Sequence, residues 1–406
     1  MKIKSILVAG AVGLTLAGSA FADPQQPGVN YVYITGSTAF RPAAFLAISN
    51  LLYSVANPSV TISTYKPTGA ATNDPTLASF DLFSNTVAGT PTIVKAAWSG
   101  SEAGIIDATD AATQKFLSDS FLNGPAGVTT INQNAPSATD LQFVDIAFAD
   151  NDQSHSRTTS PSLASTFIGV IPFVWVKNTQ TNPPASYNAI TNVTDPQLRV
   201  ALNGSARAGL ITGNVGDSNF VYVAGRDFNS GTRVNTLLDT QYGIANSAIK
   251  QIIIQADGSD TNYVASSGGQ SSGGTLATTL TYPGTIQATD AIHANNGGYY
   301  AIAYLGLYDA DAALGINTTT TPPTYPAVQL TYNGVNESSN AVVTGQYSFW
   351  GKEYIYQGAS ASTTGAAFYT SLVGEIPSHA DGLHTFATTT MHATKTTSAS
   401  DPLYTH

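Results

Sequence analysis

Three times along this chain a β-rich run leads through a short Gly/Ser/Thr turn into residues with helical spacing. The first run is 31–34, followed by Thr35-Gly36-Ser37-Thr38 and then by Phe45, Ile48, Leu52 and Val55 at steps of three and four. Pro42 falls in the first turn of that predicted helix, where its missing N–H costs nothing. The second is 92–98, then Ser99-Gly100-Ser101, then a helix predicted over 102–117. The third is 220–224, then 225–232, then a helix carrying Val234, Leu237, Leu238 and Tyr242. Strands that repeatedly feed helices through tight turns select an α/β fold. The same turns set up a chemistry. The first N–H groups of a helix have no internal partners, and the aligned peptide dipoles put partial positive charge there. An anion can therefore be held without Lys or Arg. One such Ser or Thr usually caps its own helix; three of these turns, one of them with Arg226, point to a shared oxyanion site.

Further elements fit this frame. Residues 141–149 read as a strand ending in Asp150-Asn151-Asp152, and 168–176 as an almost wholly apolar strand that is central or crosses between lobes. Buried strands are expected over 249–255 and 299–307, and Thr194-Asp195-Pro196 opens a helix with its cap and proline in order. The polar stretches 69–91 and 257–285 read as surface excursions or insertions, with another Thr/Ser-rich stretch within 359–406.

Composition excludes several functions. Only 10% of the residues are charged, 15 Lys+Arg against 25 Asp+Glu, for a formal charge of −10. A nucleic-acid partner needs a basic face that displaces counterions, and none is available. Without cysteine there are no disulfides, thiolate metal sites or cysteine nucleophiles. Among six histidines only His379 and His384 are close, and Asp257-Gly258-Ser259-Asp260 lacks the downstream Glu of a calcium loop. No Gly-x-Ser-x-Gly elbow occurs. The chain is expected to be no enzyme and to hold neither metal nor cofactor. Lys2 and Lys4 precede an apolar run over 6–18 that ends in Ala20-Phe21-Ala22, the pattern of a Sec signal peptide over 1–22. With no cysteine to carry a lipid, the mature product is expected in the periplasm, or else outside the cell or at its surface.

Several of these segments occur in an order that resembles the phosphate-binding proteins of ABC transporters. They are Gly36-Ser37-Thr38-Ala39-Phe40-Arg41-Pro42, Trp98-Ser99-Gly100-Ser101-Glu102-Ala103-Gly104-Ile105, Asp145-Ile146-Ala147-Phe148-Ala149-Asp150 and Ile171-Pro172-Phe173-Val174-Trp175-Val176-Lys177-Asn178. Gly225-Arg226-Asp227-Phe228-Asn229-Ser230-Gly231-Thr232-Arg233 is the most specific of them, and Tyr300-Ala301-Ile302-Ala303-Tyr304-Leu305-Gly306 and Gly345-Gln346-Tyr347-Ser348-Phe349 follow, with Ser348 where the family has Pro. The resemblance implies a two-lobed, type II periplasmic-binding-protein fold, each lobe a mixed sheet flanked by helices and the two joined by hinge strands. Lobe 1 would take 28–170 plus 330–406, and lobe 2 would take 171–329 with the insertion near 257–285. The implied monomer holds phosphate or a similar tetrahedral oxyanion in the cleft and delivers it to an ABC permease in the inner membrane. By motif position Ser37, Thr38, Ser101 and Asp150 would contact the anion from lobe 1, and Arg226, Ser230, Gly231 and Thr232 from lobe 2.

Asp150 fits such a site because hydrogen phosphate carries a proton that a carboxylate can accept, whereas sulfate has none; Asp152 is the alternative carboxylate. Glu102 departs from the family, placing a second acid where a small residue is usual, and the stretches from Ser37 to Ser101 and on to Asp150 imply insertions. Arg41 and Arg233 are further guanidinium candidates that contact either the ligand or a neighbouring carboxylate. Two other readings remain: a cell-surface or matrix protein that reuses the fold without transport, and a secreted phosphatase-like enzyme.

Overall fold

The computed structural model describes residues 25–53, 56–65, 74–122, 129–132, 140–179, 185–204, 206–245, 247–254, 260–265, 268–281, 300–316, 323, 326–395 and 404–405. The expected signal peptide, 1–22, and the outer parts of the 257–285 stretch lie outside them. The main strands are β1 Asn30–Gly36, β2 Thr61–Tyr65, β3 Phe80–Val87, β4 Thr90–Ala97, β5 Thr129–Asn132, β6 Ile146–Ala149, β7 Ser165–Lys177, β8 Phe220–Ala224, β9 Lys250–Ile254, β10 Asp260–Ala265, β11 Tyr300–Gly306 and β12 Trp350–Gln357. The main helices are α1 Arg41–Leu52, α2 Ser101–Ala108, α3 Asp195–Leu202, α4 Gly231–Asp239, α5 Gly273–Leu280, α6 Leu307–Leu314 and α7 Thr363–Glu375. These strands follow one path in the order β10-β9-β8-β11-β7-β12-β6-β1-β4-β3-β2-β5.

Two parallel cores organise this path. β1 lies parallel to both β4 and β6, and β8 lies parallel to both β9 and β11. Side-chain alternation lets helices cover both faces. Val32 and Ile34 pack with Phe45, Ile48 and Leu52 of α1, whereas Tyr31 and Tyr33 pack with Ile105 and Ala108 of α2. In the second core Val221 and Val223 pack with Leu198 and Leu237, while Tyr222 and Ala224 meet Leu276 of α5 and Ala310 of α6.

β7 joins the cores as the sequence predicts for 168–176. Residues 165–172 pair with β12, and 173–177 pair with β11. At about 3.3 Å per residue the strand spans about 40 Å. Pro172, which has no N–H to give, sits where the partner changes, a position that costs no ladder bond. The result is a two-lobed mixed α/β architecture with helices on both faces of each half. No helix among the described residues is long and apolar enough to cross a membrane.

Four expectations change. The helix predicted over 102–117 ends at Ala108: Asp110 takes φ +62°, and 114–116 turns back to pair with 140–142. The 69–91 excursion contains β3, whose Leu82 and Phe83 are buried. The described part of 257–285 supplies β10 and α5, with Leu276 and Leu280 in the core. The strand expected over 141–149 is two pieces, 140–142 and 146–149.

That last break places charge inside the first lobe. Lys95 Nζ of β4, fully buried, lies 2.6 Å from Asp140 and 2.7 Å from Asp119. Beyond α7 the chain passes back over β7, where Val170 and Phe386 exchange backbone bonds. His384 then bridges Asp381, at 2.7 Å, and Asp311 of α6, at 2.8 Å, stacked 3.9 Å from the Tyr308 ring. Burial lowers the His384 pKa, but the bonds to Asp311 and Asp381 outweigh it and raise it to about 9.

Two predictions follow from these ion clusters. Lys95→Ala removes the cation beside the fully buried Asp140 and is expected to cost roughly 3–5 kcal/mol in chemical denaturation; a loss below about 1 kcal/mol would mean the pair is not structural. Because the folded pKa of His384 exceeds the unfolded 6.5, its stabilisation is complete below 6.5 and lost as pH rises through about 9. Denaturation midpoints should fall across that window in the native chain and fall less in His384→Gln.

Candidate functional site

Each candidate residue stands at or just beyond the end of a parallel strand, most of them in the turn that leads into a helix. β1 ends at Gly36 with φ +118°, where an added Cβ would stand 2.0 Å from the Phe148 carbonyl of β6, so only glycine fits. Ser37 N–H donates to that carbonyl at 2.8 Å, and its hydroxyl accepts from Phe40 N–H at 3.1 Å, capping the turn into α1. Thr38 is buried next to it. β4 leads into Ser101 at the first turn of α2, and Gly100 N–H donates to the Gly36 carbonyl at 2.9 Å. β8 leads to Ser230, whose hydroxyl accepts from Arg233 N–H at 3.2 Å as the cap of α4.

The ends of α2 and α4 meet across the lobes, with Asp150 at the end of β6 between them. The Ser101 hydroxyl donates to the Asp150 carboxylate, and Asp150 N–H donates back to Ser101 Oγ at 3.3 Å. Thr232 Oγ1 approaches the other carboxylate oxygen at 3.5 Å, a long contact, and Asn235 Nδ2 donates to the Asp150 carbonyl at 2.7 Å. An added Cβ on Gly231 would stand 2.5 Å from Ser101 Oγ and 2.8 Å from Asp150 Cγ. Glu102 N–H, a free donor of the first turn of α2, is taken by the Asn229 carbonyl of the other lobe at 3.0 Å. Asp150 is 2% exposed, so donors from both lobes converge on a buried oxyanion that is part of the chain itself.

Other candidates turn elsewhere. Asp152 accepts from Ser154 N–H at 2.8 Å and caps its own turn, leaving Asp150 as the carboxylate between the helices. The Arg226 guanidinium donates to the carbonyls of Gln270 at 3.1 Å and Ser271 at 3.2 Å. Arg233 donates to the carbonyls of Ala245 and Ser247, each at 2.9 Å, with its guanidinium over the Phe228 ring. Arg41 donates to the Ala78 carbonyl at 3.1 Å and lies 4.0 Å from Asp309 of α6, close enough to Arg226 for each charge to act on the other. Glu102 faces away from Asp150. Its carboxylate accepts from Asn151 at 2.8 Å, Ser156 at 3.1 Å and Arg157 N–H at 2.9 Å, with the Arg157 guanidinium at 3.4 Å. Burial raises the Glu102 pKa, and these donors oppose the rise.

Sequence reasoning missed Asn235, Arg157 and Glu353. Asn235 is four residues beyond Gly231 on α4, so helical spacing alone places it on the same face. Glu353 is an acid inside the β12 strand, and an isolated charge in such a strand is a usable signal. Nothing local marks Arg157. No group of three or more His, Asp or Glu side chains suited to a metal ion occurs among the described residues.

No protein-family model matches the chain, and no curated protein matches it. Among solved structures, one described as a phosphate ABC transporter substrate-binding protein with bound phosphate, from Clostridium perfringens, is similar at 13% identity and a TM-score of 0.47, over 88% of this chain and 99% of its own. An ABC-type phosphate transport receptor from Vibrio cholerae is similar at 12% identity and TM-score 0.40, over 84% of this chain and 93% of its own. PstS from Borrelia burgdorferi is similar at 14% and 0.38, over 88% and 98%. At such scores the ligand is a question for the side chains of this protein.

The contact at Gly231 is testable alone. Gly231→Ala forces a methyl against Ser101 and Asp150 and is expected to cost about 1–3 kcal/mol in denaturation, with a larger radius of gyration in solution scattering. An unchanged midpoint and radius would mean the two helix starts do not meet.

Proposed function

We propose that this chain is an exported binding protein that captures inorganic phosphate, or a related tetrahedral oxyanion, between its lobes for uptake by an ABC permease, acting as a monomer without catalysis. The observation that supports this most is the convergence of Ser101 and Thr232, at helix starts in opposite lobes, on one buried carboxylate. Donors arranged to hold the carboxylate of Asp150 are suited to the oxygens of an anion that enters when the lobes part. Asp150, displaced from those hydroxyls, becomes the acceptor for the proton that hydrogen phosphate carries and sulfate lacks. Ser37, Thr38, Ser230 and Gly231 shape the turns around the anion, and Arg226 supplies positive charge from the second lobe.

Opening requires a hinge at the two passages between the cores, along β7 near Pro172 and where the chain returns just before β12. The lobes divide near 170 on the outward pass. On the return we take the division near 350, beyond the pairing of 331–332 with 192–193 and the bond from Leu330 N–H to the Trp175 carbonyl. Export by the 1–22 segment into the periplasm completes the reading.

Calorimetric titration of protein stripped of endogenous ligand, with phosphate against sulfate, tests it. Phosphate is expected to bind with strong preference. Arg226→Ala and Thr232→Val should each weaken it at least about tenfold with the circular dichroism spectrum unchanged, and Asp150→Asn should narrow the preference over sulfate. Wild-type affinity in both Arg226→Ala and Thr232→Val would sink the site assignment. Retention at the cell surface with no phosphate binding would favour the surface-protein reading.

A further inference from the structure

Glu353 is an acid that this capture scheme does not use. It is fully buried on β12, opposite Gly169 of β7 and directly before a register shift. Neither of its carboxyl oxygens has a hydrogen-bond partner among the described residues. Gly351, two positions earlier, lies against α4: an added Cβ there would be 2.8 Å from Asn235 Nδ2, the atom that donates to the Asp150 carbonyl. Strand residues two apart share a face, so Glu353 looks toward the same helix and the same cluster.

Asp150 is the charge that acts on it there. Charged groups on the neighbouring elements are engaged elsewhere. Glu102 of α2 binds Arg157, and Arg233 of α4 binds backbone carbonyls. Asp239, at the far end of α4, binds Lys395 at 2.9 Å, and Lys352 lies over the Phe167 ring on the other face. β7 places Gly169 opposite Glu353 and β6 ends at Ala149 opposite Tyr354, neither of them charged, and the phenol of Tyr356 on the same strand feels the Glu353 charge. Burial first, and the charge of Asp150 second, hold the Glu353 proton well above the usual carboxylate range. A protonated carboxyl is a hydrogen-bond donor.

We propose that Glu353 is a further ligand-selecting residue of the interlobe site, its carboxyl O–H donating to an oxygen of the bound oxyanion while Asp150 accepts the oxyanion's own proton. This rests on the oxyanion reading of the site. One acid that gives and one that takes fit a tetrahedral anion bearing both an O–H and bare oxygens, as hydrogen phosphate does. Sulfate satisfies Glu353 but leaves Asp150 unmatched. No proton changes owner on binding.

Two variants separate the donor from the charge. Glu353→Gln keeps shape and an N–H donor but cannot ionise, whereas Glu353→Met keeps bulk and removes the donor. In phosphate calorimetry at pH 6, Glu353→Gln should stay within about threefold of wild type and Glu353→Met should weaken about tenfold. Ligand-free denaturation gives a second measure. A folded pKa raised above the unfolded 4.5 means stability present below 4.5 and lost as pH rises. Glu353→Gln should therefore gain on wild type from pH 4 to pH 7. If wild type binds phosphate and Glu353→Met binds it equally well, this role is overturned and the capture reading stands. If wild type binds no phosphate, the capture reading falls and this role with it. A pH-independent difference between Glu353→Gln and wild type would overturn the buried acid.

Discussion

β7 belongs to both halves of the molecule. Its backbone bonds run to β12 as far as Pro172 and to β11 from Phe173 onward, so one continuous strand sets how the two parallel cores face each other. The core around it is aromatic: Trp175 packs on Tyr304 and Phe349, and the Tyr347 hydroxyl donates to the Phe173 carbonyl at 2.8 Å. A continuous crossing of this kind brings the carboxyl ends of β4 and β6 opposite the carboxyl end of β8. The helices that follow β4 and β8 then begin beside each other with Asp150 between them, and the candidate site results from that alignment.

A chain with so few charges spends them locally. Lys95 is buried with Asp140 and Asp119, Glu102 with Arg157, and Lys395 with Asp239. Removing a buried charge from water is costly unless a partner is at hand, and these pairs meet that condition. Asp150 and Glu353 are held differently. Hydroxyls and an amide surround Asp150, and Glu353 has no hydrogen-bond partner among the described residues. Local rules of this sort are broken most often where a ligand completes the set.

The turns were legible because their physics is local. A β-branched or aromatic run, a glycine that tolerates positive φ and a hydroxyl before an apolar period are enough to place Ser37 in the turn before α1 and Ser101 and Ser230 at helix starts. Element ends were less legible. Apolar spacing through Phe116 and Leu117 suggested one long helix, but the left-handed Asp110 ends it, and both residues return to the same core cluster as Tyr33 and Ile105 by way of a separate strand. β3 was hidden because Asp81 sits inside it, yet that acid is buried against the Trp98 indole N–H at 2.7 Å. Its partner lies on another segment, where strand propensity carries no information.

Sequence alone set the class of the fold and the chemistry of its turns: strands that end in Gly, Ser and Thr before helices, a surface poor in charge, and a chain without thiols. Tertiary structure alone decided which acid stands between the helices and which way the guanidinium groups point. Asp150 and not Asp152 meets Ser101, 49 residues away, while Glu102 turns to Arg157 and Arg233 to backbone carbonyls. Turn and helix preferences act over three or four residues, so they are written in the order of the residues. The partner of a buried charge is chosen by which strands lie side by side, and that order emerges only when β7 has brought the two cores together.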